Sequence, residues 1–484
     1  MNTLAVTAEA PIKPDHAAGM GLAFIVGGYI VAFWVWSVRN HNGFGTFGFD
    51  LGIFDQGMWL LSRFDRPFVT ILGLHLFGDH TSFILLPLVP FYWIFPTPVT
   101  LLVAQSVALG SAAIPAFLIA REKLRSELLA LGAAIAYLAH PAVGWANVEQ
   151  FHPDIFEVPL LFFAIYCMMR KRWAWFLVCV VALLSVKEDV PLLTVTLGAY
   201  VAIWHNRRVG LATIGVSVAW FATAVWVVLP FFNDVGSLDQ FRIPFGGAGG
   251  ALRTLVTAPW QYVQLALEDD RPFYLWQLLI PVGLLSLLAP RVALIAALPL
   301  ASNLFSTFWY QYHIQYHYTT LLVPVIVVAA IFGAARFRSP QVRNGLVAGM
   351  VACALFTGWY WGPATFARKP NPFADPNAVS ASLMRRAIAV IPPDAAISVH
   401  YAAVTHLGHR RHVYQWPTPF RAVYWGDWKL EGKRLEAESK LVDYVLVTNV
   451  TDPRDRAILE ELRATDFEPV FQNLTVLVLR RRTN

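Results

Sequence analysis

The sequence predicts an α-helical polytopic membrane protein of about eleven spans with a small α/β domain at its C-terminal end. Three observations lead there. The 484-residue chain is 57% hydrophobic and 14% charged, with a mean hydropathy of +0.51, which is more apolar surface than a soluble domain of this size needs. Short basic clusters (Arg121, Lys123, Arg125; Arg170, Lys171, Arg172; Arg207, Arg208; Arg336, Arg338, Arg343) alternate with acidic or histidine-containing segments, and apolar stretches of membrane length separate the two kinds. After Gly362 the charge density rises and no further span follows.

Sidedness follows from the charges. Basic loops stay on the cytoplasmic side. Parity then puts segments 50–55, 152–154, 187–189 and 311–317 on the opposite face, with the C-terminal domain, and leaves the N-terminus cytoplasmic. A plasma (inner) membrane, multi-pass location is expected. The pI of about 9.2 does not argue for nucleic acid, because the Lys and Arg lie in short loops and not on one continuous face. Cys167, Cys179 and Cys353 lie within apolar runs and have neither metal spacing nor a disulfide framework.

The spans are expected in this order. The first covers 20–38; its end, Trp36-Ser37-Val38-Arg39, lacks the small residues of a cleavage site, so it is read as retained. An external segment, 39–98, follows. Spans two to four cover 99–120, a run outward to residue 140, and 155–170. Spans five and six, 173–186 and 190–205, form a hairpin with Lys187-Glu188-Asp189 at its outer tip. The seventh covers 209–232, and 233–271 is an external loop. Spans eight and nine, 273–289 and 291–308, form a hairpin with Arg291 inside. The last two cover 317–335 and 344–361. The stretch 83–95 holds Pro87 and Pro90 and is too short to cross, so it is expected to be half-buried or interfacial. Residues 1–363 thus form the transmembrane domain. Residues 364–484 form the external domain, with helices at 378–390 and 455–463 and strands at 396–400, 444–448 and 475–479. No internal repeat of the kind found in many secondary transporters is visible.

Five polar segments stand out at the outer face. Residues 51–61 have an apolar stripe (Leu51, Phe54, Met58, Leu61) that suits a helix lying in the interface. On a helix Asp50 and Asp55 point about 140° apart, so they do not form a carboxylate pair. Asp50 reads either as an N-cap or as a general base, and Asp55 either as a solvated residue or as its substitute. His75, Asp79 and His80 have poor spacing for a helical metal pair. Glu149, His152, Asp154 and Glu157 give the border of spans three and four more charge than a turn needs. Lys187, Glu188 and Asp189 are costly at membrane depth, by roughly 2.5–3.5 kcal/mol each. Capping explains Asp189, whereas Lys187 suits a phosphate. Gln311, His313, Gln315, Tyr316 and His317 exceed what an aromatic belt requires. The glycines at 246–250 have no following Gly-Lys-Ser/Thr, so they make no phosphate loop and are read as part of a mobile external loop or lid.

Asp-Leu-Gly-Ile-Phe-Asp-Gln at 50–56, Phe-His-Pro-Asp at 151–154, Lys-Glu-Asp at 187–189 and Gln-Tyr-His-Tyr at 315–318 resemble a prokaryotic family of membrane proteins of unknown function. That family resembles the GT-C superfamily, integral-membrane glycosyltransferases that use polyprenyl-phosphate sugars. The resemblance implies an essential carboxylate in the first external loop, at Asp50 or next Asp55. It implies further acidic groups at Asp154 and Glu157, and a phosphate-holding Lys187. It implies a polyprenyl-phosphate-linked sugar as donor, an external glycan or lipid as acceptor, and membrane lipids as surroundings. His80, His152, Glu188, Asp189, Tyr316 and His317 complete the expected substrate-binding set. The chain lacks an Asp-Xaa-Asp in the second loop, so a divalent cation (Mg or Mn) on Asp50 and Asp154 stays open. Two other classes are kept beside it: a lipid or solute transporter or flippase, and a scaffold that binds polysaccharide.

Overall fold

A computed structural model describes residues 16–233 and 242–482. Lys13 and residues 234–241 of the expected external loop lie outside the described residues. The chain is mainly helical, with helices at His16–Asn42, Val99–Leu124, Glu127–Leu138, Pro141–Val148, Glu157–Met169, Trp173–Leu184, Pro191–Trp204, Arg207–Phe232, Arg271–Leu279, Pro290–Leu304, His317–Ala334 and Pro340–Trp361. Five of these are long and apolar enough to cross a membrane unaided, or six if the pair bent by 49° at residues 139–140 is one span. Several apolar helices counted in the sequence expectation of eleven are shorter, 10–17 residues.

Local chemistry sets the ends. Ser126, Asn206 and Ser339 cap their helices, each side chain accepting from a first-turn backbone N–H. Arg125, with φ 56°, ends the preceding helix in the left-handed region. The expected eighth span is not continuous. It breaks after Leu279, and Gly283 and Leu284 both have positive φ, so the chain there turns instead of running on as helix. The bundle centres on Leu322–Ala334, which is buried along its whole length, whereas His16–Asn42 is largely exposed, as a lipid-facing helix is.

Beyond Trp361 the chain builds a five-stranded sheet. Its strands are β3 (Ile397–Val399), β4 (Val413–Gln415), β5 (Tyr444–Val447), β6 (Phe467–Gln472) and β7 (Leu477–Arg481), after a short antiparallel hairpin of β1 (Phe68–Val69) and β2 (Leu74–His75) in the first loop. The order is β4-β3-β5-β7-β6, with β3 parallel to β4 and β5, and β7 antiparallel to its neighbours. β4 and β6 were not expected. β4 has only three residues, and β6 is an edge strand whose pairing slips at Pro469.

This C-terminal region roofs the first loop. Thr70 Oγ1 donates to Val413 O at 2.8 Å, Gln56 Nε2 donates to Arg410 O at 3.0 Å, and Gly426 N donates to Leu72 O at 2.8 Å. Gly73, with φ +75°, makes the β1–β2 turn; a Cβ there would lie 2.4 Å from the Trp425 ring. The helix Ile53–Ser62 is therefore covered on nearly every side, and Asp55 is wholly buried.

Candidate active site

A cavity of about 350 Å³ opens where the first loop, the 149–156 turn, the 187–189 tip and the segment before Leu322 meet. One wall carries Asp50, His152 and His317. His152 Nε2 lies 3.2 Å from Asp50 Oδ1, and its ring stacks on His317 with centroids 3.7 Å apart. His317 Nδ1 is 3.3 Å from Glu149 Oε1. His152 Nδ1 also reaches Gln150 O at 3.3 Å, so both ring nitrogens face acceptors, the pattern of an imidazolium. Burial opposes that charge, yet Asp50 and Glu149 outweigh it and raise His152 to about 9. Burial pushes Glu149 up to about 8.

A cationic wall adjoins this one, with His317 Nε2 4.0 Å from Asp154 Oδ1. Lys187 Nζ pairs with Asp154 Oδ1 at 3.2 Å and lies 5.5 Å from the centre of the Tyr318 ring. Arg242 lines the same wall, 5.9 Å from that ring. Burial pushes Asp154 up, but the Lys187 ammonium outweighs it and holds the carboxyl below its ordinary range. His80 joins this wall to the first loop: its Nδ1 is 2.8 Å from Glu188 Oε1, and Glu188 Oε2 accepts from Thr81 N at 3.1 Å.

Asp50 is held by its backbone. It sits at φ 63°, ψ −94°, a region that an Asp rarely occupies and that costs on the order of 1–3 kcal/mol. The surroundings enforce it. Phe47 N donates to the Gln150 side chain at 3.1 Å, and Gly48 packs so close to Gln415 and Val404 that a Cβ would come within 2.6 Å of Gln415 Oε1. Asp50 is thus no N-cap. Its carboxylate is half-exposed, at 42%, and faces the cavity.

Asp50, His80, His152, Asp154, Lys187, Tyr316 and His317 all line this one cavity. Four expected residues do not. Asp55, read as solvated or as a second base, is fully buried on the far side of its helix, where Oδ1 accepts from Tyr92 Oη at 2.9 Å and lies 3.0 Å from His409 Nε2. Only the fold could reveal that, since His409 is 354 residues away. Glu188 holds His80 and Thr81 from behind. Glu157 and Asp189 line a separate void of about 20 Å³ with Asp154, and Glu157 Oε2 is 2.6 Å from Thr320 Oγ1. Arg242, Tyr310 and Tyr318 line the main cavity without having been singled out. Arg242 lies in the loop read only as a lid, and no spacing signal marks it. The Glu149 of this wall stood in a segment already noted for excess charge.

Residues 41–471 match the family described as "Predicted membrane protein (DUF2079)". The chain belongs to the DUF2079 family. Among proteins of curated function, none matches it in sequence. In three dimensions this DUF2079 protein is similar to ArnT from Cupriavidus metallidurans. The apo form matches with a TM-score of 0.60 at 13% identity, and the form bound to undecaprenyl phosphate with 0.56 at 14%. Each match covers 96% of this chain and 98% of ArnT. The fold of this DUF2079 protein is therefore similar to that of ArnT.

Proposed function

We propose that the protein is a GT-C-type glycosyltransferase of the plasma membrane, with its cavity and C-terminal region outside and its N-terminus in the cytoplasm. The donor is a polyprenyl-phosphate sugar in the outer leaflet; the acceptor is a hydroxyl of an external glycan or lipid. The observation that carries this reading is one cavity lined by a half-exposed carboxylate and by Lys187 and Arg242, in a fold similar to that of ArnT, which is seen bound to undecaprenyl phosphate.

Asp50 takes the proton of the acceptor hydroxyl, and the oxygen attacks the anomeric carbon. The bond from that carbon to the phosphate oxygen breaks, and the electron pair leaves with polyprenyl phosphate. Lys187 and Arg242 lower the cost of the charge that builds on the departing phosphate. His152 aims Asp50, acting as a positioning residue at 3.2 Å. Replacing Asp50 by Asn keeps size and hydrogen bonding but removes the base. The purified variant should fold normally and show no sugar transfer from a polyprenyl-phosphate donor; wild-type turnover would remove Asp50 from the role.

A divalent cation finds better ligands than those expected. Asp154 already pairs with Lys187, whereas Glu149, His152 and His317 bring three ligand atoms within 4.8 Å of one another, and an ion there would require His152 to give up its proton and one of its two present contacts, to Asp50 or Gln150. Two imidazoles and a carboxylate suit Zn or Mn better than Mg. These three residues would hold such an ion, and it would supply positive charge beside the phosphate. Elemental analysis of the purified protein tests this: near one equivalent of metal in the wild type, lost in His317→Ala, is the expected result. A metal-free, fully active wild type would refute it.

A further inference from the structure

A second cavity of about 350 Å³ lies between the C-terminal region and the outer end of the bundle. The helix Ile53–Ser62 stands between the two spaces: Ile53 and Phe54 line the first, and Asp55 reaches His409 of the second. His41, Thr97, His406, His409 and Arg410 line the second cavity, with prolines 96, 98 and 393, and no Asp or Glu does.

Arg410 is the informative member. It is 7% exposed, yet its hydrogen bonds go only to backbone carbonyls: Nε donates to Leu407 O at 3.1 Å, and Nη1 donates to Ala395 O at 3.1 Å and to Pro392 O. The Asp394 carboxylate is nearby but forms no ion pair with it. Its Nη2 donors have no acceptor among the described residues, and neither does His409 Nδ1. The Nη2 end is not sealed in the interior but belongs to a residue lining the cavity, and a guanidinium's fork of donors matches a phosphate or carboxylate. The position narrows the choice. Trp93, Ile94 and Phe95, just before Thr97, are exposed at 57%, 68% and 62%, as residues at a lipid border are. With the membrane sidedness proposed above, on which this step rests, the cavity opens near the lipid headgroups.

We infer that this second cavity binds a phosphate group at the outer membrane border, on Arg410 and His409, separately from the cavity that holds Asp50. The phosphate belongs either to a lipid headgroup or to a soluble phosphate ester. The inference stands on Arg410 and on that sidedness, and survives if the proposed glycosyl transfer fails.

The test is thermal unfolding of the full chain, in uncharged detergent titrated with inorganic phosphate, and in nanodiscs of phosphatidylglycerol against phosphatidylcholine. Phosphate or phosphatidylglycerol should raise the midpoint. The apparent affinity should fall at least about tenfold in Arg410→Gln. Thr97→Glu, which puts a carboxylate into the cavity, should abolish the rise and decides the matter where Arg410→Gln does not fold. Arg242→Gln, which strips a cation from the first cavity, should keep it. A rise in detergent assigns a soluble phosphate, and a rise only with phosphatidylglycerol assigns a headgroup. No rise in either arm, a rise that persists in Thr97→Glu, or one lost in Arg242→Gln would overturn the inference.

Discussion

Asp50 combines two properties that do not arise together by accident of packing: a strained backbone and a carboxylate half open to a cavity. Strain of this kind persists only when neighbours enforce it, and it collects where a side chain must point in one direction. Glycine tolerates positive φ without the Cβ penalty. Asp50→Gly should therefore leave stability unchanged or raise it by about 1 kcal/mol, while transfer is lost. Unfolding midpoints and turnover measured on one preparation check this; a destabilised variant would mean that the Asp50 side chain serves folding. Part of this was legible in the sequence. The 50–56 segment holds the carboxylate that lines the cavity, but its backbone turn is not visible in the sequence, because it is imposed by Gln150, Val404 and Gln415, which are remote in sequence. For the same reason Asp55, which the sequence offers as a solvated residue or a second base, is in fact wholly buried.

At the scale of elements, the outer wall is assembled by ties between loops. His80 on the first loop and Glu188 on the hairpin tip form one of them, at 2.8 Å. Burial would lower His80, but the Glu188 carboxylate raises it to about 9; burial would raise Glu188, but His80 lowers it to about 2. A histidine with a raised folded pKa adds stability that is full below its unfolded value and lost as pH climbs through about 9. A glutamate with a lowered one adds stability that is full above its unfolded value and lost as pH drops through about 2. The tie is therefore fully present from about pH 4.5 to 6.5. The difference in unfolding midpoint between wild type and Glu188→Gln should be widest there and shrink toward pH 9. A difference that is flat with pH would show that the pair carries no charge linkage. The long apolar helices and the sheet's central strands were legible because each is a local pattern. The break at Gly283–Leu284, the three-residue β4 and the Pro469-bearing edge strand were not, since none has a periodic signature of its own.

For the whole molecule, the sequence grouped its reactive side chains by sidedness, and seven of the eleven expected residues line one cavity. The four exceptions, Asp55, Glu157, Glu188 and Asp189, sit directly behind that cavity or on the next face of a lining element. Arg242 escaped because composition marks a loop but not which of its residues turns inward. The C-terminal region is more than an appended domain: through Val404 and Gln415 it fixes the turn that aims Asp50, so that region and the Asp50 carboxylate are mechanically joined. The most direct measurement is a structure of the full-length protein with undecaprenyl phosphate. The account predicts the phosphate within hydrogen-bond reach of Lys187 and Arg242, in the cavity that Asp50 faces. A phosphate bound outside that cavity, with Lys187 still paired only to Asp154, would contradict it.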